Sequence, residues 1–365
     1  MDAISLVGRL SALARRYLVW LLIGAYAAAA FWPAPGLWLR RVSFGEIDCL
    51  SERVNLSLPL VLLALLLGNA GLSTSRGELR GLFRTPGVLV AGLTATLILP
   101  IVFLFVAVQA MRLWHNPAET HALVVGLGLL AALPVAGSST AWSQNVNGNV
   151  ALSLGLVLFS TALSPLTTPA VLHAVGGLTS GDTAVALRRL AGPGTGAMLV
   201  LGVAVPSLLG LLARRAIGEE RAARAGSGLK LLSATVLLLL CYMNAAVALP
   251  QAVAEQDWDF LAVLFVLVAA LCVGCFAGGW ALGRLVGADA GQRAALMFGL
   301  GMNNNGTGLV LASTALAALP GALLPVIVYN LLQHLVAGAV ALRIGRDAAS
   351  DGDKADGNTC SRDRG

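Results

Sequence analysis

The chain has 365 residues, of which 57% are hydrophobic and only 12% are charged. Soluble domains carry about 25% charged residues, so this composition excludes a water-soluble protein and indicates one that crosses a membrane several times. The net charge of +6 does not indicate nucleic-acid binding, because the basic residues lie at the ends of apolar segments rather than in a patch with aromatic residues.

Ten apolar segments approach the length of about 20 residues that a membrane-spanning helix needs. The first follows Arg15-Arg16 and shares features with a signal peptide, but the many later segments favour a retained helix. From about Arg346 the chain is rich in Asp, Gly and Ser, which predicts a disordered cytoplasmic tail over 346–365 after a single transmembrane domain over 1–345. The segments lie at approximately 17–33, 54–72, 86–110, 120–146, 149–174, 195–213, 229–252, 258–283, 291–318 and 321–342.

The distribution of basic residues predicts the orientation of the chain. With a cytoplasmic N-terminus, 18 of the 24 Lys and Arg residues fall on the cytoplasmic side and six fall outside. The positive-inside rule therefore places both termini in the cytoplasm, and we expect a bacterial inner membrane protein. Ten segments divide into two repeats of five, about 17–174 and 195–343; because five is odd, the second repeat is inverted relative to the first.

The fourth and ninth segments are interrupted by polar residues and glycines. The stretches are Gly137-Ser-Ser-Thr-Ala-Trp-Ser-Gln-Asn145 and Gly299-Leu-Gly-Met-Asn-Asn-Asn-Gly-Thr307. Unwound backbone at membrane depth needs partners that hydrocarbon cannot supply, so it is tolerated only where it is buried in protein or lines a cavity. Two broken helices in matching halves predict a binding site near the midplane of a secondary transporter.

Crossed breaks would bring together both kinds of helix end. A helix N-terminus presents free N–H groups and a positive dipole end, whereas a C-terminus presents carbonyl oxygens that can bind a cation. An organic anion and a monovalent cation could then be held at one place without a buried formal charge. The candidate substrate-binding residues are Ser138, Ser139, Thr140, Asn303, Asn304, Asn305 and His334.

His334 lies on one helical face with Asn330 and Gln333, at i, i+3 and i+4 spacing. A histidine inside a membrane segment suggests a proton relay. The alternative is a neutral, hydrogen-bonded imidazole close to the cavity, and the sequence leaves both interpretations open.

Several classes of function lack their residues. All 18 acidic residues lie in loops, termini or segment ends, which argues against a carboxylate-based proton pump. The chain has neither a Walker loop nor a Ser–His–Asp or His-Glu-x-x-His set, so we expect neither ATP-driven transport nor an enzyme. The pair Cys272-x-x-Cys275 lies in an apolar segment without nearby histidines and indicates packing rather than a metal site. We expect no organic cofactor.

Two sets of motifs resemble the bile acid:sodium symporter family and its wider superfamily. The first is Ser139-Thr140 followed by Gly148-Asn-Val-Ala-Leu-Ser153 and Ser160-Thr161-x-x-Ser164-Pro165-Leu-x-Thr-Pro169. The second is Gly301-Met302-Asn303-Asn304, which is similar to that family's Gly-Met-Gln-Asn. The resemblance covers about 17–343 and implies an all-α fold of ten transmembrane helices in two inverted repeats. It also implies a panel domain and a core domain, with helices four and nine broken and crossing in the core.

The same resemblance implies transport of organic anions such as bile acids, steroid sulfates or pyruvate, generally with Na⁺. It also implies two groups of Na⁺ ligands, the second through backbone carbonyls as well as side chains. These candidate ligands are Ser139, Thr140 and Ser153 in the first group and Leu300, Met302 and Asn303 in the second.

Three positions depart from the family's pattern. Gly299 stands where many members have a Glu that serves both Na⁺ sites, Val157 stands for a Thr, and Ala95 for a Gln. Without an anionic ligand, neutral oxygens alone must offset the dehydration of the cation, which weakens its binding. The sequence thus predicts a secondary transporter of a small organic anion with a weakened cation site. A Na⁺-independent facilitator and a non-transporting binding or sensing protein are the alternatives.

Overall fold

The structure is a computed structural model that describes residues 3–49, 51–74, 86–255, 257–315 and 319–362. Nearly all of this chain is helical, apart from an antiparallel hairpin of β1 (Ser43–Cys49) and β2 (Glu52–Ser57). A π-helical turn, Val200–Ala204, joins α10 to α11, and a 3-10 turn, Pro320–Leu323, precedes α17. The helices are α1 (Ala3–Arg16), α2 (Leu18–Phe31), α3 (Ala34–Arg41), α4 (Leu58–Ser73), α5 (Pro86–Met111), α6 (Pro117–Ala131), α7 (Ser138–Asn145), α8 (Val150–Gly177), α9 (Gly181–Leu190), α10 (Pro193–Leu199), α11 (Val205–Ile217), α12 (Glu219–Arg224), α13 (Gly226–Glu255), α14 (Trp258–Leu285), α15 (Ala290–Gly301), α16 (Asn305–Ala315) and α17 (Leu324–Arg362).

Six helical segments within the described ranges are long and apolar enough to cross a bilayer. A seventh is added if the bent pair of α1 and α2 forms one span. The protein is therefore an all-α membrane protein, as the composition predicts. The six segments are Pro86–Met111, Val150–Gly177, Pro193–Ile217, Gly226–Ala254, Trp258–Leu285 and Pro320–Gly345.

The ten predicted segments all overlap helices, but four of them do not qualify as spans by length on their own. The first, α2, has 14 residues and reaches span length only together with α1. The second, α4, has 16 residues, and the fourth and ninth are each divided into two short helices by a break. At 1.5 Å per residue, each of these pieces is shorter than the 30 Å hydrocarbon layer. The arrangement as ten spans in two inverted repeats therefore stays a prediction.

The structure corrects the position of the first interruption. Ser138–Asn145, which the sequence predicts to be unwound, is the helix α7, and the non-helical segment precedes it at 132–137, here called break one. Pro134 explains this position, because proline donates no N–H and disfavours helical backbone at the residue before it. The second interruption is confirmed: α15 ends at Gly301, α16 begins at Asn305, and Met302–Asn304 form break two.

The helices pack in two groups. The crossing group contains α5 to α8 and α14 to α17, and it surrounds the two breaks. The flanking group contains α2, α4, α11 and α13. Small residues allow α4 and α11 to approach very closely, as is common between membrane helices: a Cβ added at Gly210 would lie 2.0 Å from the Gly68 carbonyl oxygen.

The last helix continues beyond its apolar part, which ends at Gly345. Its backbone remains helical into the segment from 346 for which the sequence predicts disorder, and it ends at Arg362. The disordered tail stays a prediction.

Gly210→Ala should lower the thermal stability of the protein in detergent. The new methyl group would force α4 and α11 apart, and such overpacking costs about 1–3 kcal/mol. Gly274→Ala is a matched control within α14, because a Cβ there meets nothing within 4 Å. We expect a lower melting temperature for Gly210→Ala alone. Equal melting temperatures for the two variants would contradict the close helix contact.

Candidate functional site

The two breaks lie against each other and exchange backbone hydrogen bonds. The Ala136 N–H donates to the Met302 carbonyl at 2.8 Å, and the Asn304 N–H donates to the Pro134 carbonyl, also at 2.8 Å. The pairing is an isolated antiparallel bridge, and we call this contact the crossing. Each break therefore supplies partners that the hydrocarbon could not offer the other.

The central residues of the crossing direct their N–H groups to side chains of neighbouring helices. The Val135 N–H donates to Ser160 Oγ of α8 at 3.0 Å, and the Asn303 N–H donates to Gln333 Oε1 of α17 at 2.9 Å. Both acceptors are at most 9% exposed. α8 thus supplies a hydrogen-bond acceptor to break one, and α17 supplies one to break two.

Two carbonyl groups at the C-terminal end of α6 also accept hydrogen bonds from side chains. Thr168 Oγ1 donates to the Ala132 carbonyl at 2.7 Å, and Asn303 Nδ2 donates to the Leu130 carbonyl at 3.0 Å. Ser160, Thr168 and Gln333 are absent from the sequence-based list of site residues. The regular spacing of hydroxyls at 160, 164 and 168 along one face of α8 is the signal that could have identified two of them.

Two of the three candidate Na⁺ ligands in the first group come together in the structure. Ser153 Oγ, in the first turn of α8, donates to Thr140 Oγ1 of α7 at 3.3 Å. Ser139 precedes Thr140 in α7, is fully buried, and its Oγ has no hydrogen-bond partner among the described residues. All three are neutral hydroxyls, and hard oxygens of this kind are the ligands that Na⁺ prefers.

The second group of candidate Na⁺ ligands has apolar surroundings. A Cβ at Gly299 would lie 2.6 Å from Leu156 Cδ1, so the side chain of Leu156 packs directly against the position where many family members have a Glu. The Met302 carbonyl already accepts the Ala136 N–H in the crossing. The surroundings are an apolar cluster, in which water and ions gain no ligands. Its buried members are Leu89, Val135, Leu152, Leu156, Val157, Ala295, Leu296 and Leu300.

The three consecutive asparagines, two in break two and one at the start of α16, have different environments. Asn304 Oδ1 accepts the Thr307 N–H at 3.3 Å and so caps α16. Asn305 is 2% exposed and its Nδ2 donates to Asn330 Oδ1 at 3.4 Å. Asn303 alone of the three is partly exposed. Direct contact of all three with a substrate stays a prediction.

Several buried polar atoms near the crossing have no hydrogen-bond partner within the described parts of the chain. All of them lie on α7, α8, α16 and α17, the helices that meet the breaks or complete their hydrogen bonds. Buried polar groups of this kind cost free energy unless a water, ion or solute pairs with them. Their concentration here favours a site for a polar guest. The atoms are Ser139 Oγ, Ser143 Oγ, Thr161 Oγ1, Asn305 Oδ1, Thr307 Oγ1 and His334 Nδ1.

The predicted residues of α7 and α17 also lie near one another. Ser138 and Thr140 are partly exposed, whereas His334 is 3% exposed. A Cβ at Gly338, one turn beyond His334, would lie 3.8 Å from the Trp142 ring, so α17 passes α7 beside the crossing. The structure therefore brings the Ser138–Thr140 turn, break two and the His334 face of α17 into one region.

An all-α membrane fold built around two paired breaks, with clustered polar side chains, defines a membrane transporter rather than an enzyme. The profile of the SBF-like CPA transporter family matches residues 17–346, and the chain belongs to this family. It is thus a membrane transporter of the bile acid:sodium symporter type, as the motifs indicate. The chain is also similar to YbaS, an uncharacterised protein of Bacillus subtilis (strain 168), at 27% identity over 223 residues, which is 61% of this chain and 69% of YbaS.

Ser160→Ala should destabilise the protein, because it leaves the buried Val135 N–H without its acceptor. Such a loss costs about 1–3 kcal/mol and should appear as a lower melting temperature in detergent. Ser164→Ala is the matched control on the same face of α8, because Ser164 Oγ donates only to the Thr161 carbonyl of its own helix. If both variants melt together with the wild type, Ser160 does not support break one.

Proposed function

We propose that the protein is a secondary transporter that carries a small organic anion by alternating access around the crossing. The observation that supports this best is the reciprocal backbone pairing of break one and break two. Irregular backbone of this kind at membrane depth is typical of transporter binding sites. The proposal includes ten spans in two inverted repeats, a bacterial inner membrane location and cytoplasmic termini.

The helix N-termini at the crossing support an anionic solute. α7 begins directly after break one and α16 directly after break two, so two helix N-termini with their N–H groups lie at the crossing beside the C-termini of α6 and α15. The residues from Leu133 to Asn145 and from Leu300 to Ala315 include no Asp or Glu that would repel an anion. In this proposal, hydroxyls of the Ser138–Thr140 turn and the Asn303 amide bind a carboxylate or sulfate group of the solute.

The cation sites suggest weak or absent coupling to Na⁺. A single Na⁺ held by Ser139, Thr140 and Ser153 would supply positive charge that offsets the charge of the anion. At the second site Leu156 packs against Gly299 and no carboxylate is present, which supports a transporter with at most one weakly bound Na⁺. A Na⁺-independent facilitator is the alternative that the apolar cluster around Gly299 favours.

The crossing group and the flanking group would be the two units that move relative to each other during alternating access. The crossing group carries the breaks together with the residues that complete their hydrogen bonds, and the flanking group packs against one side of it. Movement of one group relative to the other would expose the crossing to each side of the membrane in turn without unpairing the breaks.

Ser139→Ala and Asn303→Ala should each reduce uptake of the transported anion by about ten- to 100-fold, the effect of losing a hydrogen bond to a charged group. The measurement is uptake of a panel of radiolabelled small carboxylates, including pyruvate, and sulfonates into proteoliposomes. Ser164→Ala serves as the control, because its hydroxyl is bonded within α8. Unreduced uptake in both site variants would show that the solute binds elsewhere. Ligand-induced stabilisation without flux would favour a binding or sensing protein.

Gly299→Glu should destabilise the protein, because its Cβ would collide with Leu156 and its carboxylate would enter the apolar cluster. Combining it with Leu156→Ala makes room, so we expect the double variant to be more stable in NaCl than in KCl. The single Leu156→Ala variant is the control for the cavity alone. The measurement is the melting temperature of each variant in the two salts. A stable single Gly299→Glu variant that responds to Na⁺ would contradict the tight packing of Leu156 against Gly299.

A further inference from the structure

Asn330 of α17 connects the crossing group to the flanking group. Its side chain is 2% exposed, and its amide nitrogen donates to Tyr26 Oη of α2 at 2.7 Å and to Cys241 Sγ of α13 at 3.2 Å. Its amide oxygen accepts from Gln333 Nε2 at 3.2 Å and from Asn305 Nδ2 at 3.4 Å. A carboxamide offers two N–H donors and two acceptor lone pairs, so all four are used.

These four bonds form two sets with different partners. The inward set joins Asn330 to Asn305 and to Gln333, and Gln333 Oε1 accepts the Asn303 N–H of break two. The inward set therefore lies entirely among elements of the crossing group. The outward set joins Asn330 to Tyr26 and Cys241, which belong to the flanking group and are at most 5% exposed.

The two sets differ in what they join rather than in strength. The inward set stays among elements of the crossing group and continues to the backbone of break two. The outward set reaches two other helices, α2 and α13. When the two groups separate, the outward bonds must therefore exchange for water, whereas the inward bonds need not.

We propose that Asn330 is a positioning residue that sets break two against α2 and α13. During the transport cycle its bonds to Tyr26 and Cys241 break, while its bonds to Gln333 and Asn305 persist and keep break two in shape. This inference rests on the proposed alternating access. Loss of the outward set should therefore alter how often the groups separate, and loss of the inward set should alter the binding site itself.

Cys241 provides a test that needs no solute. It is fully buried under Asn330, and maleimides react with the thiolate, which requires water at the sulfur. The rate at which N-ethylmaleimide labels Cys241 in membrane vesicles thus measures separation of the two groups. Mass spectrometry of the Cys241 peptide from the full-length protein quantifies it.

Tyr26→Phe removes only the phenolic oxygen and should increase the labelling rate of Cys241 about three- to tenfold, the effect of one lost hydrogen bond. Gln333→Met, which removes the inward amide, should change that rate less than twofold. Cys272 and Cys275, buried in α14 of the crossing group, serve as internal controls for general destabilisation. Asn330→Ser is a second variant that weakens both sets, and it should also accelerate labelling of Cys241.

Three results would overturn the proposal. They are an unchanged Cys241 rate in both Tyr26→Phe and Asn330→Ser, an equal increase at Cys272 and Cys275, and an effect of Gln333→Met as large as that of Tyr26→Phe. None of these depends on uptake. Anion transport with unchanged labelling would therefore reject the role of Asn330 and leave the proposed function intact.

Once a transported anion is known, kinetics separate the two sets further. Tyr26→Phe should change the maximal rate of uptake with an unchanged KM, because the binding site is intact. Gln333→Met should raise KM several-fold, because the Asn303 N–H loses its acceptor. A purely structural role would lower the amount of active protein and so reduce the maximal rate of both variants with KM unchanged.

Discussion

The pairing of two helix breaks is the constraint on which this structure depends. Membrane interiors offer no water to unpaired peptide groups, so a helix can be interrupted there only if another element bonds to the exposed backbone. In this protein each break bonds to the other through Ala136, Met302, Asn304 and Pro134. Neither break would be tolerated alone, and the helices that carry them must therefore cross.

The same constraint explains the polar chemistry around the crossing. The side chains of Ser160, Thr168 and Gln333 form hydrogen bonds with other backbone groups of the two breaks, so these three side chains have a structural role. Within the described chain, neither the Ser139 hydroxyl nor the Nδ1 atom of His334 has a hydrogen-bond partner. Neutral oxygens and helix N-termini without a carboxylate support the proposed binding of an anion, and the packing of Leu156 against Gly299 supports the proposed weak coupling to Na⁺.

Most of the helical architecture could be predicted, because a run of apolar residues has few solutions in a membrane other than a helix. Break two was located correctly from its asparagines, and membership of the transporter family followed from the motifs around Ser139 and Gly301. The place of break one was wrong, because Ser138 to Asn145 are polar yet helical, and Pro134 in an apolar stretch ended α6 instead. Polarity marks where a break is useful, whereas the backbone chemistry of proline determines where it occurs.

The sequence alone determined that this chain spans a membrane, that two of its segments are interrupted and that neither interrupted stretch contains a carboxylate, since these properties depend on composition and local order. Only the tertiary structure decided which groups meet. It placed Val135 opposite Asn303, filled the space beside Gly299 with Leu156 and joined Asn330 to Tyr26 across more than 300 positions of chain. Such contacts depend on how helices pack side by side, and residue spacing within one helix carries no information about its neighbours.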